Sequence, residues 1–278
     1  MSIISAWQIQ LLHNTEYIVL NSLAFLFLLF FAFRAAKKNY FSRMGTGLFL
    51  VGLFISFIAG ARFFYILFYT QPEWSLLLAP VPYGFSLFGG LLLAVVYLFA
   101  VAWKIHLPVW EWLDMHTPGL IGYVIMSKIG CFLNGCCFGT PTIMPWGIAY
   151  AEGSQAYNYY IVRALDNFQF KSWRVYSDLI HPVQLYESFL TLLLLIIALS
   201  LLKRRLMPGI VFLLVFGAYS LIRLGLFYFR AMPYDTHFYY LLAWIYTIIA
   251  VISFGILLMK LLRIKNELLL NRRVNQCN

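Results

Sequence analysis

The chain has 278 residues, 63% hydrophobic, 19% aromatic and only 11% charged, with a formal charge of +10. An ordinary soluble domain carries about 25% charged residues, so this composition excludes a soluble globular enzyme and predicts an all-α integral membrane protein. The basic residues are scattered through short loops rather than gathered on one polar face, which speaks against nucleic acid as a partner.

Seven apolar runs of about 20 residues read as transmembrane helices, at 16–34, 45–69, 83–103, 118–138, 184–202, 208–228 and 239–262. Runs such as LAFLFLLFFAF lack the alternation of a barrel strand, and a lipid-exposed backbone must satisfy its own hydrogen bonds. MSIISAWQIQLLHNTEY has no basic stretch before its first apolar run, so no cleavable signal peptide is expected. The rich side of the lysine and arginine distribution holds 13 of the 20: Arg34, Lys37, Lys38, Arg43, Lys104, Lys203, Arg204, Arg205, Lys260, Arg263, Lys265, Arg272 and Arg273. That side is expected to be cytoplasmic, placing the N-terminus outside and the C-terminus inside. The whole chain forms one polytopic domain, and the long connection 139–183, polar and aromatic, becomes a small external head or lid with one or two short helices.

Three cations fall within these runs: Arg62, Lys128 and Arg223. Each costs a few kcal/mol at mid-bilayer. With the predicted orientation all three lie in the outer half of the membrane, as does Glu187 near the outer start of the fifth span. Such a constellation suits an anion, and the anion most available in a bilayer is a lipid phosphate. The alternatives are snorkelling of the shallow Arg223 and neutralisation of one cation by Glu187. The fourth span ends KIGCFLNGCCFGTPT. Its Gly130, Gly135 and Gly139 signal close helix packing or a broken helix end; Gly89 and Gly90 carry the same two readings. Asn134 offers a donor to a phosphate or ester oxygen, or a bond between helices.

Cys131, Cys136 and Cys137 stand together, but C-x4-C-C is not a usual zinc spacing and no metal is expected there. A disulfide and a covalent thiolate role remain open beside the simplest reading, small buried packing residues.

These motifs together resemble the phosphatidylglycerol–prolipoprotein diacylglyceryl transferases of bacterial inner membranes. IAGARFFYILFY (58–69) is similar to the family's Gly-Ala-Arg segment, with Arg62 and Tyr65 in register. FSLFGGLL (85–92) resembles its double-glycine segment. SKIGCFLNGCCFG (127–139) sits on a signature that reads roughly G-R-x-x-N-F-x-N-x-E-x-x-G. HPVQLYES (181–188) matches a characteristic family string. In PGIVFLLVFGAYSLIRLGLFYFRAMPYD (208–235), Arg223 falls at the family's essential arginine and Arg230 at the one seven residues on.

The resemblance implies transfer of the diacylglyceryl group of phosphatidylglycerol to the lipobox cysteine in the signal peptide of a preprolipoprotein. A thioether forms and glycerol-1-phosphate leaves. It implies no cofactor and an inner-membrane location among membrane lipids. Arg223, Lys128, Glu187 and His181 become the catalytic candidates. Arg62, Tyr65, Asn134, Gly139, Gln184, Tyr186, Arg230, Gly89 and Gly90 become the substrate-binding ones. Five positions depart from the family pattern. Phe88 replaces the histidine before the double glycine, Lys128 the signature arginine, Cys131 the first asparagine, Cys136 the glutamate, and Phe227 the glutamate after Arg223. His181 at the outer boundary and Glu187 in the apolar site are the remaining candidates for a base. Two other readings stay open: the same phosphate clamp serving another acceptor, and a non-catalytic paralogue that binds anionic lipid.

Overall fold

A computed structural model describes residues 8–9, 14–36, 43–69, 87–106, 108–166, 177–204, 206–231 and 236–277. Lys37 and Lys38 of the first basic loop, and 167–176 of the expected head, lie outside the described residues. The order is β1 (Gln8–Ile9), α1 (Asn14–Ala36), α2 (Arg43–Tyr69), α3 (Leu87–Lys104), α4 (Val109–Leu133), β2 (Ala149–Tyr150), α5 (Gln155–Asp166), α6 (Val183–Leu202), α7 (Ile210–Leu226) and α8 (Thr236–Cys277). The two short strands pair in parallel, Gln8 with Ala149 and Ile9 with Tyr150.

This is a helical membrane protein. Among the described residues four stretches are long and apolar enough to cross a bilayer: Gly47–Leu67, Val183–Leu202, Ile210–Phe229 and Tyr240–Glu267. Their outer faces carry large apolar side chains with no protein cover, such as Phe189 at 62% and Val251 at 67% exposure. Lipid, not water, is the solvent such faces suit.

By its contacts the chain divides into two units, 29–116 in one and 1–28 with 117–278 in the other. In the first unit α2 and α3 pack closely. A Cβ on Gly89 would run into the Gly60 carbonyl and Phe64, and one on Gly90 into the Phe57 ring. Both glycines therefore serve helix packing, the first of their two readings, with small residues letting backbones approach. Phe49, Leu98, Ala102 and Trp112 bury together at one end of this unit.

In the second unit Ile121 of α4, Leu194 and Ala198 of α6, and Val211 and Val215 of α7 form one apolar cluster. Ile210, Leu213 and Leu257 join α7 to α8. A third cluster, Phe138, Ile148, Tyr150, Ala156, Ile180 and Ala231, sits in the connecting segments. At about 1.5 Å per residue α8 is far longer than a bilayer is thick, and its exposed Arg263–Glu267 pair stands at the C-terminal end of the apolar stretch.

Three boundaries differ from the sequence expectation, one being the last span, expected to end at 262, whose helix α8 runs on to Cys277. The fourth span was expected from 118, yet α4 begins at Val109. Glu111, Asp114 and His116 interrupt the hydropathy there without interrupting the helix. At its other end α4 stops at Leu133, not 138. Gly135 and Cys137 both adopt positive φ, 65° and 59°, so the chain leaves the helix there. Of the two readings of this glycine-rich stretch, it is a helix end. The connection that follows contains β2 and α5 and is otherwise irregular in its described part.

Candidate functional site

The end of α4, the start of α6 and the last turns of α7 meet around one carboxylate. Glu187 lies one turn inside α6 and is 1% exposed. Its Oε2 accepts from Arg223 Nη1 at 2.7 Å and faces Lys128 Nζ at 3.1 Å. Its Oε1 accepts from the Tyr219 hydroxyl at 2.8 Å. Arg223 is fixed further by Tyr246 of α8, whose hydroxyl accepts from Nε at 3.3 Å and whose ring centroid lies 5.3 Å from the guanidinium carbon. The charge of Arg230 also acts on Glu187. A single carboxylate thus faces more than one cation, and the buried cluster Lys128–Glu187–Arg223 carries net positive charge.

This cluster settles two alternatives for the cations. Arg223 is 7% exposed and paired, so it does not snorkel. Glu187 neutralises part of the charge, with both oxygens occupied by donors. Three donors take three of its roughly four lone-pair sites, so this geometry makes Glu187 a positioner of Lys128 and Arg223.

A second group of residues forms where three chain segments are stitched together. Thr140 N donates to Phe229 O at 2.8 Å, His181 N to Thr140 O at 2.9 Å and Ala231 N to Phe138 O at 3.1 Å. Gly139 bridges to Arg230 at this junction. A Cβ on Gly139 would fall within 2.7 Å of Phe229 O and nearer still to His181 O, so only glycine fits. Tyr160 donates to the Gly139 carbonyl at 2.7 Å. Gln184, 1% exposed, donates from Nε2 to Cys136 O at 2.7 Å and to the Tyr150 hydroxyl at 3.3 Å. Gly139 and Gln184 therefore hold backbone segments in place around the cations.

His181 stands at this junction, before α6 begins. Its Nδ1 lies 3.2 Å from the Tyr186 hydroxyl, which accepts from Trp146 Nε1 at 2.8 Å. The Phe229 ring packs edge-on against it at 5.2 Å. Partial burial holds its imidazole below the usual histidine range, so at neutral pH it is uncharged and able to accept a proton. Asn134 lies in the turn that ends α4, its backbone N donating to Gly130 O at 2.9 Å.

Arg62, Tyr65, Gly89 and Gly90 belong to the first unit. There Arg62 is 7% exposed on α2 and Tyr65 is half-buried.

Sequence reasoning missed Tyr219, Tyr246 and Trp146. Tyr219 had a signal, since it lies four residues before Arg223 on one helix face. Tyr246 had none, because its place depends on how α7 and α8 pack.

A family model described as prolipoprotein diacylglyceryl transferase matches residues 5–264. The phosphatidylglycerol–prolipoprotein diacylglyceryl transferase of Tropheryma whipplei (strain Twist) is 28% identical over 167 residues, 59% of this chain and 56% of that protein. That of Lactobacillus acidophilus is 29% identical over 169 residues, covering 59% and 56%. That of Clostridium tetani is 26% identical over 166 residues, covering 58% of each. The matched region thus spans little more than half the length of these relatives.

Proposed function

The chain belongs to the prolipoprotein diacylglyceryl transferase family, and from that membership we propose that it transfers a diacylglyceryl group from phosphatidylglycerol to a lipobox cysteine thiol. The observation that carries this reading is the buried Lys128–Glu187–Arg223 cluster with its excess of positive charge. In a bilayer that excess calls for an anion, and a phosphodiester supplies one at the bond to be broken.

In this mechanism Lys128 and Arg223, with Arg230, hold the phosphate. They stabilise charge that builds on the leaving glycerol phosphate as its C–O bond breaks. Glu187 positions Lys128 and Arg223 rather than reacting. The acceptor thiol attacks the glyceryl carbon as thiolate. His181, neutral and partly exposed at the junction, is the candidate to take its proton. Asn134 and Tyr186 are donors to ester and phosphate oxygens.

The same reading has α1, α2, α3, α4, α6, α7 and α8 cross a bacterial inner membrane, with the N-terminus outside, the C-terminus in the cytoplasm and α5 in an external head. The distribution of lysine and arginine supports that orientation.

The test is mass spectrometry of a lipobox peptide incubated with purified protein and phosphatidylglycerol. A diacylglyceryl mass gain on the peptide cysteine, absent with Arg223→Ala, is expected. No gain from a folded preparation that still binds the lipid refutes the reaction and favours a lipid-binding paralogue, the reading that Phe88 and Phe227 support.

A further inference from the structure

The three cysteines that sequence spacing assigned to packing form a closed cluster. Their Sγ atoms all lie within 4.8 Å of one another. All three are free thiols, and the Cys136 thiol donates to the Cys131 carbonyl at 3.6 Å. Cys131 and Cys136 are buried and Cys137 is half-buried. Cys131 comes from the last turn of α4; the other two come from the unwound segment that follows. The turn folds back on the helix through Cys136 N to Cys131 O at 3.1 Å.

Packing does not account for the backbone. Cys137 has φ 59°, a left-handed conformation that costs a residue bearing a Cβ about 1–2 kcal/mol. Glycine or asparagine fits such a position with less strain, so a reason for a thiol there is needed. Gly135, at φ 65°, makes the preceding turn. The two left-handed residues on either side of Cys136 bring all three sulfurs to one point.

We propose that Cys131, Cys136 and Cys137 form a binding site for a thiophilic d10 cation such as Zn2+, with three thiolate ligands and an open fourth position. Zinc–sulfur bonds of about 2.3 Å place the sulfurs of a tetrahedral site about 3.8 Å apart. The observed spacing, at most 4.8 Å, needs only a small closure. Charge balance also fits. Three thiolates and one divalent ion leave a single negative charge, and the positive charges of Lys128 and Arg230 both act on Cys137.

A site with three protein ligands keeps room for an exogenous one. On the transferase reading, on which this consequence rests, that ligand is the acceptor thiol. Coordination would hold it as thiolate, its proton passing to His181. The sulfur lone pair then forms the C–S bond to the glyceryl carbon as the C–O bond to phosphate breaks. Glycerol phosphate leaves with that bond's electrons. The metal would thereby supply the activation that Phe88 cannot.

The test reads metal first, without substrate. The full-length chain, purified in detergent with a reductant, is loaded with Zn2+, desalted and analysed by inductively coupled plasma mass spectrometry. About one zinc per chain is expected. Each of Cys131→Ser, Cys136→Ser and Cys137→Ser should lower retention at least about tenfold, while Cys277→Ser should not. Loading with Co2+ should give thiolate-to-metal charge-transfer absorption in the near ultraviolet. Should a serine variant fail to fold, wild-type protein decides alone: Zn2+ must slow alkylation of these three cysteines and a chelator must restore it. Reduced protein that retains no zinc, thiols alkylated equally with and without it, or a disulfide within the trio that forms despite zinc overturns the site. Zinc-loaded protein that leaves the lipobox peptide unmodified refutes the transferase reading and leaves the metal site standing.

Discussion

Replacing Glu187 with glutamine removes one negative charge and almost no volume. The amide keeps an acceptor for Tyr219, so the change isolates the ionic part of the cluster. At 2.7 and 3.1 Å and an effective dielectric constant of about 20, the two attractions amount to roughly 6 and 5 kcal/mol before desolvation. Taking three charges out of water offsets most of that sum. Removing one partner from a buried ion pair then costs about 3–5 kcal/mol, because the remaining cations stay buried without compensation. At about 2–4 °C per kcal/mol for a chain of this size, Glu187→Gln should melt roughly 6–20 °C below wild type in zwitterionic detergent. Phosphatidylglycerol should reverse much of this. Its phosphate restores a negative charge beside Lys128 and Arg223, so the variant should gain more melting temperature from added phosphatidylglycerol than wild type does. Differential scanning fluorimetry with phosphatidylglycerol and with phosphatidylcholine reads both effects. A variant that melts with wild type, or that gains no more from the anionic lipid than wild type, would show that these cations do not form a phosphate site held by Glu187.

Arg223→Ala should lower turnover roughly 10²–10³-fold, the usual effect of losing one donor to a developing negative charge; a single-turnover assay run below the variant's melting transition checks this. Lys128→Arg restores the family residue and its bidentate fork, so activity should hold or rise, and a folded but inactive variant would mean the pocket is shaped around lysine. Gly139→Ala places a methyl group against two backbone oxygens held by the junction's hydrogen bonds; a loss of about 1–3 kcal/mol is expected, and an unchanged melting temperature would contradict the close approach. His181 has a folded-state pKa below its usual value of about 6.5. Its contribution to stability is therefore present above that value and lost as pH falls. If His181 takes the thiol proton, the acidic limb of the rate profile lies below about pH 6.5 and disappears in His181→Gln; a limb that stays in place in the variant assigns it to another group.

How much of this was legible depended on the range over which each feature is determined. The helices follow from local apolar runs, so each expected span contains one. Arg62, Lys128 and Arg223 stood out because an ionised group in a hydrophobic run is locally anomalous. The pairing of Lys128 and Arg223 through Glu187 was less accessible, since it joins α4, α6 and α7 and depends on how those helices rotate about their axes. The start of α4 was obscured because Glu111, Asp114 and His116 depress hydropathy without breaking the helix. The convergence of the three sulfurs was not accessible for a conformational reason: C-x4-C-C does not match ligands projected from regular structure. It converges here because Gly135 and Cys137 take left-handed conformations that no pattern of residue types announces.

The departures from the family signature are unevenly placed. Lys128, Cys131 and Cys136 fall within nine residues, on the last turns of α4 and the turn that unwinds from it. The elements that face them keep the family's residues: HPVQLYES supplies Glu187, and α7 supplies Arg223. Arg223 and Glu187 form the shortest ion pair of the cluster, at 2.7 Å, and Lys128 still reaches Glu187 at 3.1 Å. Positive charge for an anion is thus conserved in kind at the position where its geometry changed from fork to point. The chemistry that did change is that of proton and thiol: a carboxylate and an amide became sulfurs, and Phe88 stands for an imidazole. Substitution that spares the anion-binding charges while rebuilding the neighbouring groups in sulfur is what a retained lipid-phosphate donor and a differently activated acceptor would require. A paralogue that only bound anionic lipid would need the cations but would have no use for three thiols gathered at one point.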